Sequence, residues 1–465
     1  MKTIKNIANN PVQYWFGSLF RLVFMAGWAF GVCAPVFAAI PIERWTLPNG
    51  AEVYLAQSHG IPMVDLQIDF DAGARRDPAA KAGLASVTAG MSSKGLLASP
   101  GAAGSASLPA LDENALSEAW ADLGASFSAG AGADRMSFSL RTLTYPDLLA
   151  KATSLAAHQL AAPAFPDKVW QRERQRLVAS LQEANRRPAT VAGRAFAQGI
   201  YGTHPYAYDM TEATLAAISV ADMQQLYRQA VLPCRARVSI VGDVDRAQAQ
   251  TLVLGLLARL PQPGQCSPLP PVAEVEPLKA AHDERITFES AQAHVLMGQP
   301  GFKRDDPDFF ALTVGNYTLG GGGFVSRLTQ AVREQRGLSY SVYSYFSPGL
   351  HAGAFTVGLQ TRPDQAVQAV QVAREVVAAF VADGPTEQEL RAAKENLVGG
   401  FALRIDSNRK LLDNVANIAW NRLPLDYLET WTQAVDNITV ADVKAAFARK
   451  LQPEKMVTVI VGGAP

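Results

Sequence analysis

Apolar and polar residues alternate strictly from Val64 to Phe70: Val64, Leu66, Ile68 and Phe70 fall on one face, and Asp65, Gln67 and Asp69 on the other. That period of two predicts a half-buried strand. Residues 51–55 read as a strand before it. After it, Met136, Phe138 and Leu140 alternate with Ser137, Ser139 and Arg141 as a third. Between them, residues 73–95 read as a turn leading into a helix of small residues, and 97–111, rich in Ala, Gly, Ser and Pro, as a flexible surface loop. Helical periodicity runs through 148–160, 168–184 and 221–230, and 236–241 is an apolar strand that ends in Gly242 and Asp243.

From Leu260 to Pro277 six prolines interrupt the chain and no period persists, which predicts a stiff, partly extended linker. Beyond it the order repeats, with strands at 285–289 and 293–297, a helix from Asp308, the glycines Gly320 to Gly323, and a strand at 355–359 followed by helices. Residues 218–223 (ISVADM) match 438–443 (ITVADV), and 238–242 (VSIVG) match 458–462 (TVIVG), each pair offset by 220 (438 − 218 and 462 − 242). Ser219 and Thr439 each stand three residues before an Asp, a helix-start signal. The chain therefore reads as an α+β protein built of two duplicated α/β-sandwich domains of ~200 residues, a size within the range of single domains. Each is expected to be a mixed or antiparallel sheet covered by helices. The expected boundaries are 39–260 for the first domain, 261–280 for the linker and 281–465 for the second, in a clamshell arrangement that encloses a cleft.

Within the second half, Val325, Leu328, Ala331 and Val332 recur at helical spacing, Gly337 ends the helix, and Leu338, Tyr340, Val342 and Phe346 alternate as strand residues do. This puts Arg333 on a last helical turn and Tyr340 at the start of a strand. A guanidinium and a phenol seven positions apart would be aimed at one place. The bland account of the same residues is an Arg favouring the helix dipole and a packed Tyr.

Composition narrows the function. A chain of 465 residues with 48% hydrophobic and 18% charged residues and no net charge has the make-up of an ordinary globular protein. No Lys/Arg block suits phosphate contacts, so a nucleic-acid partner is not expected. Lys2 and Lys5 precede an apolar run at 22–37 that ends in Val36, Phe37, Ala38 and Ala39. This predicts an export signal at 1–38 with cleavage after Ala38, a periplasmic destination, and no membrane contact after cleavage. The long leader and Arg21 leave an uncleaved anchor as the alternative. Cys234 and Cys266 would remain in the mature chain and could pair in an oxidising compartment.

Several chemistries lack their residues. The histidines, His59, His158, His204, His282, His294 and His351, include no pair at helical ligand spacing. G-x-S-x-G is absent, and Gly320 to Gly323 lacks the Lys-Ser/Thr of a P-loop, reading instead as a turn where backbones approach closely. His204, Pro205 and Tyr206 read as a turn with a packed ring, and Cys234 as a core residue.

The segment GARRDP at 73–78 followed by AGLA at 82–85 resembles the entry to the metal helix of pitrilysin/insulinase-type peptidases, the inverzincins, and REQRGLSYSV at 333–342 resembles their Arg/Tyr signature. The resemblance runs from Trp45 to Gly462 and includes GTHPY at 202–206. It implies duplicated halves of this size. Where the family carries H-x-x-E-H, however, this chain has Ser86, Ala89 and Gly90 at the ligand and base positions, and Ser180 stands at the third ligand position, with Glu183 displaced by three. Hydroxyls and a methyl do not hold Zn²⁺ or act as a base. In the related heterodimers one subunit supplies zinc and the other the Arg/Tyr pair, so the resemblance implies that Arg333 and Tyr340 bind substrate and its oxyanion. The implied protein has no cofactor of its own and is inactive alone. It is an exported, non-zinc subunit that binds extended peptides and forms a heterodimer with an H-x-x-E-H partner carrying Zn²⁺. The rival is a pseudoenzyme that binds peptides or scaffolds a complex without a catalytic role.

Overall fold

The computed structural model describes residues 40–100, 107–263 and 266–463. The expected export signal and its alternative as an anchor therefore lie outside the described residues, as does part of the Ala/Gly-rich loop. No helix among the described residues is long and apolar enough to cross a membrane.

Two mixed sheets form the framework. The first runs in the order Ile42–Thr46, Glu52–Gln57, Arg237–Gly242, Met63–Phe70, Met136–Leu143, Ser126–Ala131. The second runs Ser341–Phe346, Ala354–Thr361, Ala293–Pro300, Val457–Val461, His282–Ile286. Read from opposite ends the two orders correspond strand for strand, apart from the extra Ile42–Thr46 at one edge of the first. In each, the closing strand at the 220-residue offset lies parallel to the half's opening strand and antiparallel to the next one. The duplication seen in two short peptides is thus a duplication of topology. The opening strand of the second half lies three residues earlier than its pattern predicts, at His282–Ile286, because its register is set by pairing Ile286 with Val461.

The caps that flagged the repeat form as expected. Ser219 accepts from the Asp222 N–H, Thr439 from the Asp442 N–H, and each Asp returns a bond to its cap backbone, starting Val220–Ala230 and Val440–Lys450. Apolar strand faces pack beneath such helices, with Phe70, Phe138, Leu140 and Trp170 in the first core and Phe355, Phe380 and Phe447 in the second.

The opposite faces are covered by an exchange. Helix Pro188–Tyr201 of the first half packs on Ala293–Pro300 and Val457–Val461, joining Phe196 and Ile200 to Val457, Val459 and Val461. Helix Asn408–Asn421 of the second half packs on Arg237–Gly242, Met63–Phe70 and Glu52–Gln57, joining Val415, Ile418 and Ala419 to Ile42, Tyr54, Ala56 and Val241. The two helices are themselves related by the same offset (408 − 188 and 421 − 201). Gly298 permits one of these contacts: a Cβ there would lie 1.9 Å from the Phe355 carbonyl oxygen and 3.0 Å from the Phe196 ring. On the other side Arg135 and Arg237 donate to the Ala416 and Trp420 carbonyls (both 3.2 Å), near the negative end of the Asn408–Asn421 dipole.

A polar joint fastens the halves where the linker passes. The Tyr206 hydroxyl donates to Asp134 (2.6 Å) and accepts from the His351 N–H (3.3 Å), while the other Asp134 oxygen accepts from the Leu350 N–H (3.0 Å). His204 bonds through Nε2 to the Ala273 carbonyl of the linker (3.0 Å) and accepts the Tyr206 N–H at Nδ1 (3.1 Å). The expected turn is present at Pro205–Ala207, but its side chains join the two halves rather than simply packing. Cys234, read as a core residue, instead pairs with Cys266, Cα atoms 5.8 Å apart, and pins the linker to the first half.

Candidate functional site

The Arg333 and Tyr340 segment is built from two short wide-turn helices and an edge strand. Helix Phe309–Asn316 continues as a π-helix at Tyr317–Gly321, and a second π-helix occupies Thr329–Glu334. Such wide turns are rare and cluster at functional positions. Gly320, expected in a turn, lies inside the first of them against the edge strand, where a Cβ would stand 2.5 Å from the Ser344 nitrogen. Gly337 takes φ +61°, its N–H donates to the Arg333 carbonyl (2.8 Å), and the chain reverses there.

The strand begins at Ser341, one residue after Tyr340, and its inward face is Val342 and Ser344. Tyr340 therefore does not share the buried face of Leu338 and Val342 as the alternation predicts. It is 81% exposed, the extreme among the large apolar and aromatic side chains described. The backbone around it is held tightly, because the Ser339 hydroxyl lies 2.7 Å from both the Ser341 and Gln360 carbonyls, sharing its one proton between them, and Thr361 Oγ1 donates to the Leu338 carbonyl. The phenol projects from a fixed platform.

Arg333 and Tyr340 do meet. The guanidinium lies 4.8 Å from the Tyr340 ring centroid and 4.7 Å from that of Phe324, between two aromatic faces, with Glu334 at 3.4 Å from Nε. Stacking of this kind orients a guanidinium while leaving its N–H edge free to donate. Phe324, itself 68% exposed, was not singled out by sequence, and only its position directly after the glycine run marks it. The phenol is thus open to solvent, and the guanidinium beside it is partly buried, 28% exposed.

The degenerate metal positions lie on Leu84–Met91 and Asp167–Asn185. The resembling segment explains its own local fold. Asp77 accepts from the N–H groups of Gly83 (2.9 Å) and Ala85 (3.0 Å), capping the first helix, while Arg75 and Arg76 both bind Asp71. Burial pushes the Asp77 carboxyl up to about 6 against the pull of those N–H bonds. Ser86 and Gly90 sit on the exposed face, Ala89 is buried, and Ser180 is exposed on the neighbouring helix. Ser92 and Ser93 donate back to the Ala89 and Gly90 carbonyls. Glu173 is engaged by Arg176 (2.8 Å) and Arg172 (3.0 Å); burial opposes its ionisation, but these guanidiniums and Lys94 hold its carboxyl below the usual range. Glu183 lies 3.7 Å from Arg186 at the surface. Among the described residues no group of three His, Cys, Asp or Glu side chains is placed to hold a metal ion. These donors do not fit zinc.

Ser126–Ala131 is the free edge of the first sheet and packs beside Leu84–Met91. Its equivalent in the second half, Ser341–Phe346, is blunted on its outer side, where Asn316 donates to the Ser344 carbonyl (3.0 Å) and Thr329 to that of Val342 (3.4 Å).

Comparison with known proteins agrees with this architecture. The family model described as the peptidase M16 inactive domain matches residues 217–397. The crystal structure of a peptidase M16 inactive domain from Pseudomonas fluorescens superposes with a TM-score of 0.83 at 32% identity, covering 91% of this chain and 98% of that one. The chain is 26% identical to a protein of Helicobacter pylori named a non-peptidase homolog, over 91% of this chain and 94% of that protein. An uncharacterized zinc protease of Streptomyces coelicolor is 31% identical over 50% of this chain, and the chain spans about half (52%) of its length. The duplicated topology, the blank metal positions and the full-length match to an inactive-domain structure agree: this chain belongs to the peptidase M16 family, the pitrilysin/insulinase-type peptidases, as an inactive homologue.

Proposed function

We propose that this protein is the zinc-less subunit of an exported two-chain metallopeptidase, and that it supplies Arg333 and Tyr340 to the active site of an H-x-x-E-H partner. The observation that carries the reading is the contrast between the two candidate sites. The metal positions offer only two serine hydroxyls, a methyl and a glycine, whereas the Arg333 guanidinium lies between the Phe324 and Tyr340 rings, next to a Tyr340 side chain that is 81% exposed. Two neighbouring donors of that kind suit a peptide carbonyl and the oxyanion it becomes. Ser126–Ala131, edged by small residues, supports binding of an extended peptide by main-chain hydrogen bonds. The Cys234–Cys266 pair supports an oxidising, exported location.

The test is peptide hydrolysis by the complex isolated from the native host. Arg333→Ala and Tyr340→Phe are each expected to lower kcat/KM on the order of 10²-fold with the complex intact, the usual consequence of removing one oxyanion donor. Unchanged turnover in both variants, or purification without any zinc-bearing chain, would defeat the proposal. The first outcome would favour the peptide-binding pseudoenzyme, for which the free Ser126–Ala131 edge suffices without either side chain.

A further inference from the structure

A cavity of about 680 Å³ opens between the start of strand Arg237–Gly242, the disulfide-pinned linker and the C-terminal turn of the exchanged helix Asn408–Asn421. Four guanidiniums line it: those of Arg76, Arg235, Arg237 and Arg422. Of its three carboxylates, Asp71 already binds Arg75 and Arg76, and Glu52 is shared between Arg44 (3.2 Å) and Arg422 (3.9 Å); Asp305 is the third.

Arg235 and Arg237, two positions apart, have no carboxylate partner among the described residues. Arg235 reaches the Ser267 carbonyl through Nη2 (2.8 Å), and its buried Nε has no hydrogen-bond partner. Arg237 lies over the Trp420 ring at 5.0 Å and gives one bond to the Trp420 carbonyl. Burial lowers the affinity of both groups for their protons, and like charge adds to this, from Arg76 on Arg235 and from Arg422 on Arg237. Asp71 opposes this at both groups and Glu52 at Arg237, but those carboxylates are bonded to other arginines, and partly buried cations without a direct ionic partner are stabilised by an anion from outside. The volume lies within the range of small-molecule pockets.

We infer that this cavity is a binding site for a small multivalent oxyanion, a phosphate or a polycarboxylate, held by Arg235 and Arg237 at the joint between the two halves. None of the four arginines belongs to the Arg333/Tyr340 site or to the metal positions, so the inference stands apart from the proposed function. Because linker, first half and second half all contribute walls, a bound anion ties the three together.

Calorimetric titration of the full mature chain with inorganic phosphate, and separately with citrate, at constant ionic strength in sodium chloride tests it. Saturable one-site binding of at least one probe is expected, weakened at least tenfold by Arg235→Gln and by Arg237→Gln but not by Arg391→Gln, which lies outside the cavity. Phosphate alone binding would identify a phosphate-bearing ligand, and citrate alone a carboxylate. No saturable heat with either probe, or equal affinity in the Arg235→Gln protein, would overturn the inference. Should Arg237→Gln fail to fold through loss of its Trp420 contact, Arg235→Gln, whose side chain makes a single linker bond, decides the matter.

Discussion

Asp77 shows how one residue of a family-like segment is explained by physics. Its carboxylate caps a helix from a nearly dry position, and burial raises its pKa from 3.8 to about 6. A carboxyl whose folded-state pKa lies above its unfolded value favours folding most where it is protonated, and that contribution is lost as pH rises from 3.8 through 6. The difference corresponds to about 3 kcal/mol. Asp77→Asn keeps one acceptor for the helix N–H groups and removes the charge. Denaturant titrations at pH 4 and pH 7 should therefore show the variant gaining stability relative to the parent as pH rises. A constant difference across that range would show that folding leaves the pKa of this carboxyl unchanged. Chain reading found the turn and the helix after it, but neither the cap that Asp77 makes nor its burial. For Tyr340 the same limit appears in reverse: alternation assigns a side chain to a face, while the end of the neighbouring strand decides whether anything covers it.

Among the elements, the helices with local start signals were legible. Ser219 and Thr439 declare their caps within three residues, and Val64 to Phe70 declares its pattern within seven. Ser126–Ala131 was not, because Ser, Ala and Gly carry no β preference and only the partner Met136–Leu143 makes it a strand. Pro188–Tyr201 was missed as well, and nothing in its composition says that its apolar stripe serves the other half. Its contribution can be measured. Phe196 is 6% exposed and packs over strands of the second sheet, so Phe196→Ala should lower stability by about 3–5 kcal/mol in denaturant unfolding. Although the substitution lies in the first half, hydrogen exchange should accelerate in Ala293–Pro300 and Val457–Val461. Acceleration confined to residues before the linker would contradict the exchange.

For the whole molecule, the duplicated halves and the proline linker were visible because repetition needs no tertiary information. The joint was invisible, since His204, Asp134, Ala273 and His351 come from distant parts of the chain and only the fold assembles them. This joint is expected to be sensitive to acid. Burial lowers the His204 pKa, and His351, with ring centroids 5.1 Å apart, lowers it further. A histidine whose folded pKa is depressed stabilises the fold fully above its unfolded value of 6.5, and that contribution is lost as pH falls. Protonated Nδ1 would also face the Tyr206 N–H, donor against donor. Lowering pH from 7 to 5 should reduce amide protection, corrected for the intrinsic pH dependence of exchange, at Leu350 and His351 more than in either sheet, and His204→Gln should remove most of that loss. An equal loss of protection in both sheets would place the acid sensitivity elsewhere.

The helix exchange also bears on how such a protein can change over time. With each repeat roofed by a segment borrowed from its twin, neither copy is free to be lost, shortened or moved into another gene by itself, because the survivor would be left with an oily sheet open to water. Repetition has become mutual dependence, and a substitution at a borrowed contact is felt in the opposite repeat.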